Sequence, residues 1–128
     1  MNKILIDTSA WIDFLRSKSS LLGDNVARAI KEDKAVLCGV VVAELLQGAK
    51  GIKEQRQLKL LFDNLERVQI IEKDWDDAGH LLGSLRAKGI TLPLTDAVIA
   101  VIARRSQLTV LTLDKHFEHL PIALEQVR

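Results

Sequence analysis

The chain alternates short, almost unbroken apolar runs with longer stretches whose apolar residues recur at helical spacing. KILI at 3–6, AVLC at 35–38, VQII at 68–71 and LTVLTL at 108–113 are too short to be helices. Runs of this kind read as strands buried on both faces. The stretches between them predict helices over 9–16, 21–33, 41–49, from 51 to about 67, and 74–88. Thr95 and Asp96 then open a further helix, DAVIAVIARR, whose last turn carries Arg104 and Arg105, where the helix dipole favours cations. A short last strand is expected over 123–127. Buried strands separated by helices imply an α/β fold, a central mainly parallel β-sheet flanked by helices in a three-layer sandwich. In such sheets, binding sites form beyond the carboxyl ends of the strands.

With 128 residues and no repeat, low-complexity tract or linker, the chain is expected to form a single domain over 1–128. A formal net charge of +1 means that no overall field draws in nucleic acid, so a polyanionic partner must be held by a local patch or by metal ions. Cys38 is the only cysteine, which excludes an intramolecular disulfide and a thiol-based zinc cluster. The first apolar stretch stops at Asp7, too early for a signal peptide, and no run approaches the length of a membrane span. A cytoplasmic protein is expected.

Four acids fall where the strands end. Asp7 follows the first strand, and Asp114 follows the fourth in TVLTLD. Asp96 stands at the start of a helix after PLT, and Glu44 lies in the helix that leaves the second strand. Taken singly, Asp7 and Asp96 are explained as helix caps worth about 1 kcal/mol each, and Asp114 as a turn residue. Glu44 fits that account least well, because it interrupts the otherwise apolar run GVVVAELL.

Taken together the four suggest more. Two carboxylates about 4 Å apart repel by about 4 kcal/mol at an effective dielectric near 20. A converging set therefore raises its own pKa values or recruits a cation. Oxygen-only donors select hard cations such as Mg2+ or Mn2+, which activate water and stabilise a leaving oxygen in phosphodiester cleavage.

The segments ILIDTSAWIDFLR, VVVAELLQGA, LPLTDAVIAVIARR and TVLTLDKHF, in this order and across nearly the whole chain, resemble the PIN-domain ribonucleases. Within them the likeness is to the VapC toxins of bacterial toxin–antitoxin pairs. One D-T-S is a weak signal, whereas the four segments in order are a strong one. The resemblance implies a PIN-like fold and a Mg2+- or Mn2+-dependent endoribonuclease that leaves a 5′ phosphate and a 3′ hydroxyl. It matches Asp7, Glu44, Asp96 and Asp114 to the family's acidic quartet, with Asp7 and Asp96 as main metal ligands. Thr8, Ser9 and Thr112 stand where hydroxyls would orient carboxylates or metal-bound water, and Arg16, in FLR, is expected to meet RNA phosphates. A homodimer and a small antitoxin that blocks the cleft with an Arg or Lys are also implied, DNA being bound only through the antitoxin.

One position departs from the pattern. Many relatives carry a further acid two residues after the fourth, where this chain has His116. It is left out of the expected site as a surface residue near a turn, as are His80 and His119. The acidic run EKDWDD at 72–77 is assigned to a helix start, where the dipole favours it. Two rivals weigh less. A non-catalytic PIN-like binding module would want a broken quartet. An acid-pocket phosphotransfer protein would want an acidic pair or Asp-x-Asp after the first strand, and Asp7-Thr8-Ser9 supplies neither.

Overall fold

The structure, a computed structural model, describes residues 2–16 and 19–128. The predicted alternation forms a four-stranded, wholly parallel sheet flanked by six helices. The strands are β1 (Ile4–Ile6), β2 (Ala35–Leu37), β3 (Glu66–Arg67) and β4 (Thr109–Leu111), in spatial order β3-β2-β1-β4. The helices are α1 (Thr8–Arg16), α2 (Leu21–Lys31), α3 (Gly39–Gly48), α4 (Gly51–Asp63), α5 (Glu72–Ala87) and α6 (Leu94–Arg105). A 3-10 turn over Lys115–His119 follows β4.

β1 and β4 are in register from Ile4 opposite Thr109 to Ile6 opposite Leu111. Leu5, Ile6, Leu37, Val110 and Leu111 are wholly enclosed, each worth about 1.5–3 kcal/mol of burial. The chain runs outward from β1 through β2 to β3, then returns to place β4 on the other side of β1. The reversal makes the carboxyl ends of β1 and β4 the switch point at which open α/β sheets form their crevices.

Two strand assignments change. The third strand is Glu66–Arg67, both exposed, and not the apolar VQII that follows. The amide of Val68 still reaches Leu37 O at 2.8 Å, but beyond it the chain leaves the sheet. This is an edge, and charged residues on an edge strand discourage pairing with other chains. VQII looked like a strand because it is apolar, yet it packs only partly against the sheet's rim. The last strand reduces to a single parallel bridge between Val110 and Leu124.

Three helices stop in the same way. Asp33, Gly89 and Gln107 adopt φ of 57°, 83° and 57°. The following amides of Lys34, Ile90 and Leu108 reach back to Ala29, Leu85 and Ala103. This is the Schellman closure, made here with glycine at one helix end and with Asp and Gln at the other two. The acidic run at 72–77 is more than a helix start. Asp74 is fully buried, accepts from the Ile71 amide at 2.9 Å, and receives both Nε and Nη2 of Arg105 at 2.8 and 2.9 Å. Among the described residues, no helix is long and apolar enough to cross a membrane.

Candidate active site

Asp7 stands where β1 becomes α1. Its amide donates to Leu111 O across the sheet at 2.9 Å, and its carbonyl accepts the first helical bonds from Ala10 and Trp11. The backbone is therefore that of a helix cap, but the carboxylate is used differently. Its Oδ2 accepts from Ser9 Oγ at 2.9 Å and from Thr112 Oγ1 at 2.8 Å. The same two hydroxyls take the amides of Leu113 (3.0 Å) and Asp114 (2.8 Å). Each hydroxyl spends its one proton on Asp7 and offers lone pairs to the backbone. Ser9 and Thr112 thus lock the ends of β1 and β4 together while fixing one carboxylate oxygen of Asp7.

Asp114 lies just past β4 and caps the 3-10 turn, its Oδ1 accepting from the His116 amide at 2.9 Å. The turn assignment was correct for Asp114, but incomplete. The turn folds His116 back so that its Nδ1 lies 3.0 Å from Asp96 Oδ2 and 3.3 Å from Asp114 Oδ1. Asp96, in the first turn of α6, is nearly buried. One donor atom from each of Asp96, Asp114 and His116 falls within 4.8 Å of the others. His116, expected as a surface residue outside the site, is half exposed but stands beside both acids. The signal was present in DKHF: an Asp that caps a short turn bonds the amide two residues on and brings that residue to its own side.

Electrostatics distinguish the acids. Burial, joined by the negative charges of Asp114 and Asp7, holds the Asp96 carboxyl above its ordinary range, against the opposing contact with His116. Asp7, Asp96 and Asp114 thus share one field. Glu44 is set apart. It is half-buried on α3, where Thr8 Oγ1 donates to its Oε1 at 2.7 Å; like Asp7 it is not among the tightly grouped donors, and unlike Asp7 it does not act on the Asp96 carboxyl. Its charge reaches toward Cys38, whose thiol is pushed up by burial first and by Asp7 and Glu44 after that. A protonated, buried Cys38 is no nucleophile.

Glu44 also borders a groove of about 280 Å³ between α1, α3 and α4, lined by Ile12, Phe14, Leu45 and Leu58. Arg16, exposed at the end of α1, stands on the same rim. The residues expected from the sequence were the four acids, the three hydroxyls and Arg16; nothing in the sequence pointed to this groove.

The donor set suits a hard divalent cation. Carboxylate oxygens dominate it, two are held by neutral hydroxyls instead of by cationic side chains, and the buried Asp96 is penalised for carrying its charge.

Comparison with known proteins agrees with this geometry. The PIN domain family matches residues 4–123, and the chain belongs to that family. It is 29% identical over 119 residues to a protein named VapC ribonuclease in Mycobacterium bovis, covering 90% of this chain and 89% of that one. Two solved structures share the fold. VapBC2 from Rickettsia felis, bound to a DNA fragment from its promoter, superposes with a TM-score of 0.79 at 22% identity, over 95% of this chain and 96% of the other. DNA-bound VapBC from Salmonella typhimurium does so with a TM-score of 0.78 at 24% identity, over 98% of both chains.

Proposed function

We propose that this PIN domain is a metal-dependent endoribonuclease and the toxin of a VapBC-type toxin–antitoxin pair. The observation that carries the reading is the convergence of Asp7, Asp96 and Asp114 at the β1/β4 switch point, where Asp96 is kept from ionising at its ordinary pKa. A bound Mg2+ or Mn2+ would supply the Lewis acidity that makes water a nucleophile at neutral pH and offsets charge on the phosphodiester.

The protein's own groups do the rest. Asp7 and Asp96 would hold the cation, with Asp114 and Glu44 completing its surroundings directly or through water. Ser9 and Thr112 hold Asp7 at a fixed angle, and Thr8 does the same for Glu44. Such supporting hydrogen bonds are typically worth about 10–100-fold in metal affinity or activity. Arg16 on the rim engages RNA phosphates, and the products carry a 5′ phosphate and a 3′ hydroxyl.

A homodimer, a cytoplasmic setting and a small antitoxin belong to the same reading. An apolar antitoxin segment seated in the groove beside Glu44 would bring a following Arg or Lys to the acids, and contact with DNA would be left to the antitoxin. The Mycobacterium bovis relative named as a VapC ribonuclease supports the activity, and the two VapBC structures support the partner. The test is RNA cleavage by tag-free protein with Mg2+ or Mn2+. Activity should disappear with EDTA and in Asp96→Ala. Cleavage that persists in Asp96→Ala would place the chemistry elsewhere.

A further inference from the structure

His116 occupies a position that the quartet does not explain. Its backbone amide and its ring nitrogen both turn toward Asp114, and the ring continues to Asp96 on a different element. A surface imidazole has no need of this double attachment. One N–H cannot serve two carboxylates well, because a proton aligned on Asp96 is misaligned for Asp114. The spacing suits a different use. Adjacent ligands around a six-coordinate cation with bonds of about 2.1 Å lie about 3.0 Å apart. The Nδ1 separations of 3.0 and 3.3 Å from the two acids approach that edge length. In the tautomer with its proton on Nε2, the His116 ring directs the Nδ1 lone pair toward both carboxylates.

We infer that His116 is a nitrogen ligand of the cation held by Asp96 and Asp114, and that it sets which metal this protein prefers. The inference rests on the proposed function above only in taking those acids to hold a cation. Its chemical consequence is selectivity. Mg2+ favours oxygen donors and retains its water, whereas imidazole is a good ligand for first-row transition ions. An oxygen-only site at this point would serve either ion. The His116 nitrogen tilts the balance to Mn2+.

The proposal is tested on the tag-free full chain, since an affinity tag of histidines would confuse the readout. Mn2+ and Mg2+ affinities are measured by calorimetry for the wild type, His116→Gln, His116→Asp and Asp96→Asn. Nitrogen coupling to bound Mn2+ is measured by pulsed electron paramagnetic resonance. The wild type should show imidazole nitrogen coupling, and His116→Gln should lose it while still binding Mn2+. His116→Asp should shift the Mn2+-to-Mg2+ affinity ratio toward Mg2+ by about tenfold or more. Melting curves identify any variant that fails to fold, and His116 is about half exposed (48%), so both substitutions are sterically open.

Mn2+ bound without nitrogen coupling, or coupling that survives His116→Gln, overturns the inference. If that binding is nevertheless lost in Asp96→Asn, the acidic cation site stands and only the role of His116 falls. If the wild type binds neither ion, or Asp96→Asn binds as the wild type does, both readings fail together.

Discussion

Helix α6 has an ion-pairing acid near each end, and the two are treated in opposite ways. At its carboxyl end, Arg105 reaches Asp74 on α5 with two hydrogen bonds, while a third goes to the carbonyl of Gln69. Burial pushes the Asp74 carboxyl up, but Arg105 and the Ile71 amide outweigh it and hold that carboxyl below the ordinary range. At the amino end, Asp96 is buried near Asp114 and Asp7 with the His116 imidazole against it, and its carboxyl is raised. One site contains its own cation and the other is built to receive one. An acid with its counter-ion inside the fold is held in its charged form, and removing either partner is costly, whereas one without it leaves a charge for a ligand to offset.

The largest way to break this contrast is Asp96→Asn. RNA cleavage should fall at least about a hundredfold, in line with losses on disturbing metal sites. The metal-free protein should melt no lower than the wild type, and up to about 1 kcal/mol more stable, because a strained charge is gone. Unfolding at lower temperature would show that Asp96 has a structural role like that of Asp74.

Asp74→Asn should behave in the opposite way. Removing the acid leaves the Arg105 guanidinium half-paired and should cost about 2 kcal/mol. That figure is reduced from the fully buried case because the Arg105 side chain is 34% exposed to screening solvent. Metal binding should be unchanged, as calorimetry with Mn2+ would show.

Acidification of the chelated protein sharpens the pair. Folded Asp96 binds its proton more tightly than the unfolded chain, whose value is near 3.8, so its ionisation costs stability at neutral pH. That cost shrinks as pH falls below the raised value and is gone below about 3.8, where both states are protonated. Asp74 contributes fully above the ordinary carboxylate value and loses its contribution only as pH falls through its lowered one. Any advantage of Asp96→Asn should therefore vanish first on acidification, and the deficit of Asp74→Asn at lower pH. Urea unfolding across the acid range would reveal the order, and a reversed order would contradict the assignment.

The smallest effect is expected from Thr112→Val, which removes a hydroxyl that holds Asp7 and accepts the Asp114 amide. Activity should drop about tenfold. An unchanged rate would mean that Ser9 alone orders Asp7.

Local physics was legible in the residues themselves. ILI, AVL and TVL had to be buried strands because they are apolar on both sides, and parallel order followed from the helices between them. Asp7, Asp96 and Asp114 were visible as acids at the ends of such elements, and Thr8, Ser9 and Thr112 as hydroxyls beside them. VQII misled because apolar character does not distinguish a strand from a segment packed on the rim of a sheet.

What only the tertiary structure decided is how close these groups come and what faces them. Asp74 and Asp96 are alike in the sequence, each in the first turn of a helix. One meets a guanidinium and the other meets acids and an imidazole, because α6 packs its two ends against different neighbours. Likewise His116 became part of the site through a turn capped by Asp114, which swings a residue that looked like surface over Asp96 on α6. Apolar periodicity is a property of neighbours in the chain, so the sequence carries it. Charge convergence depends on distances between residues far apart in the chain, and those exist only once the sheet has brought its carboxyl ends together.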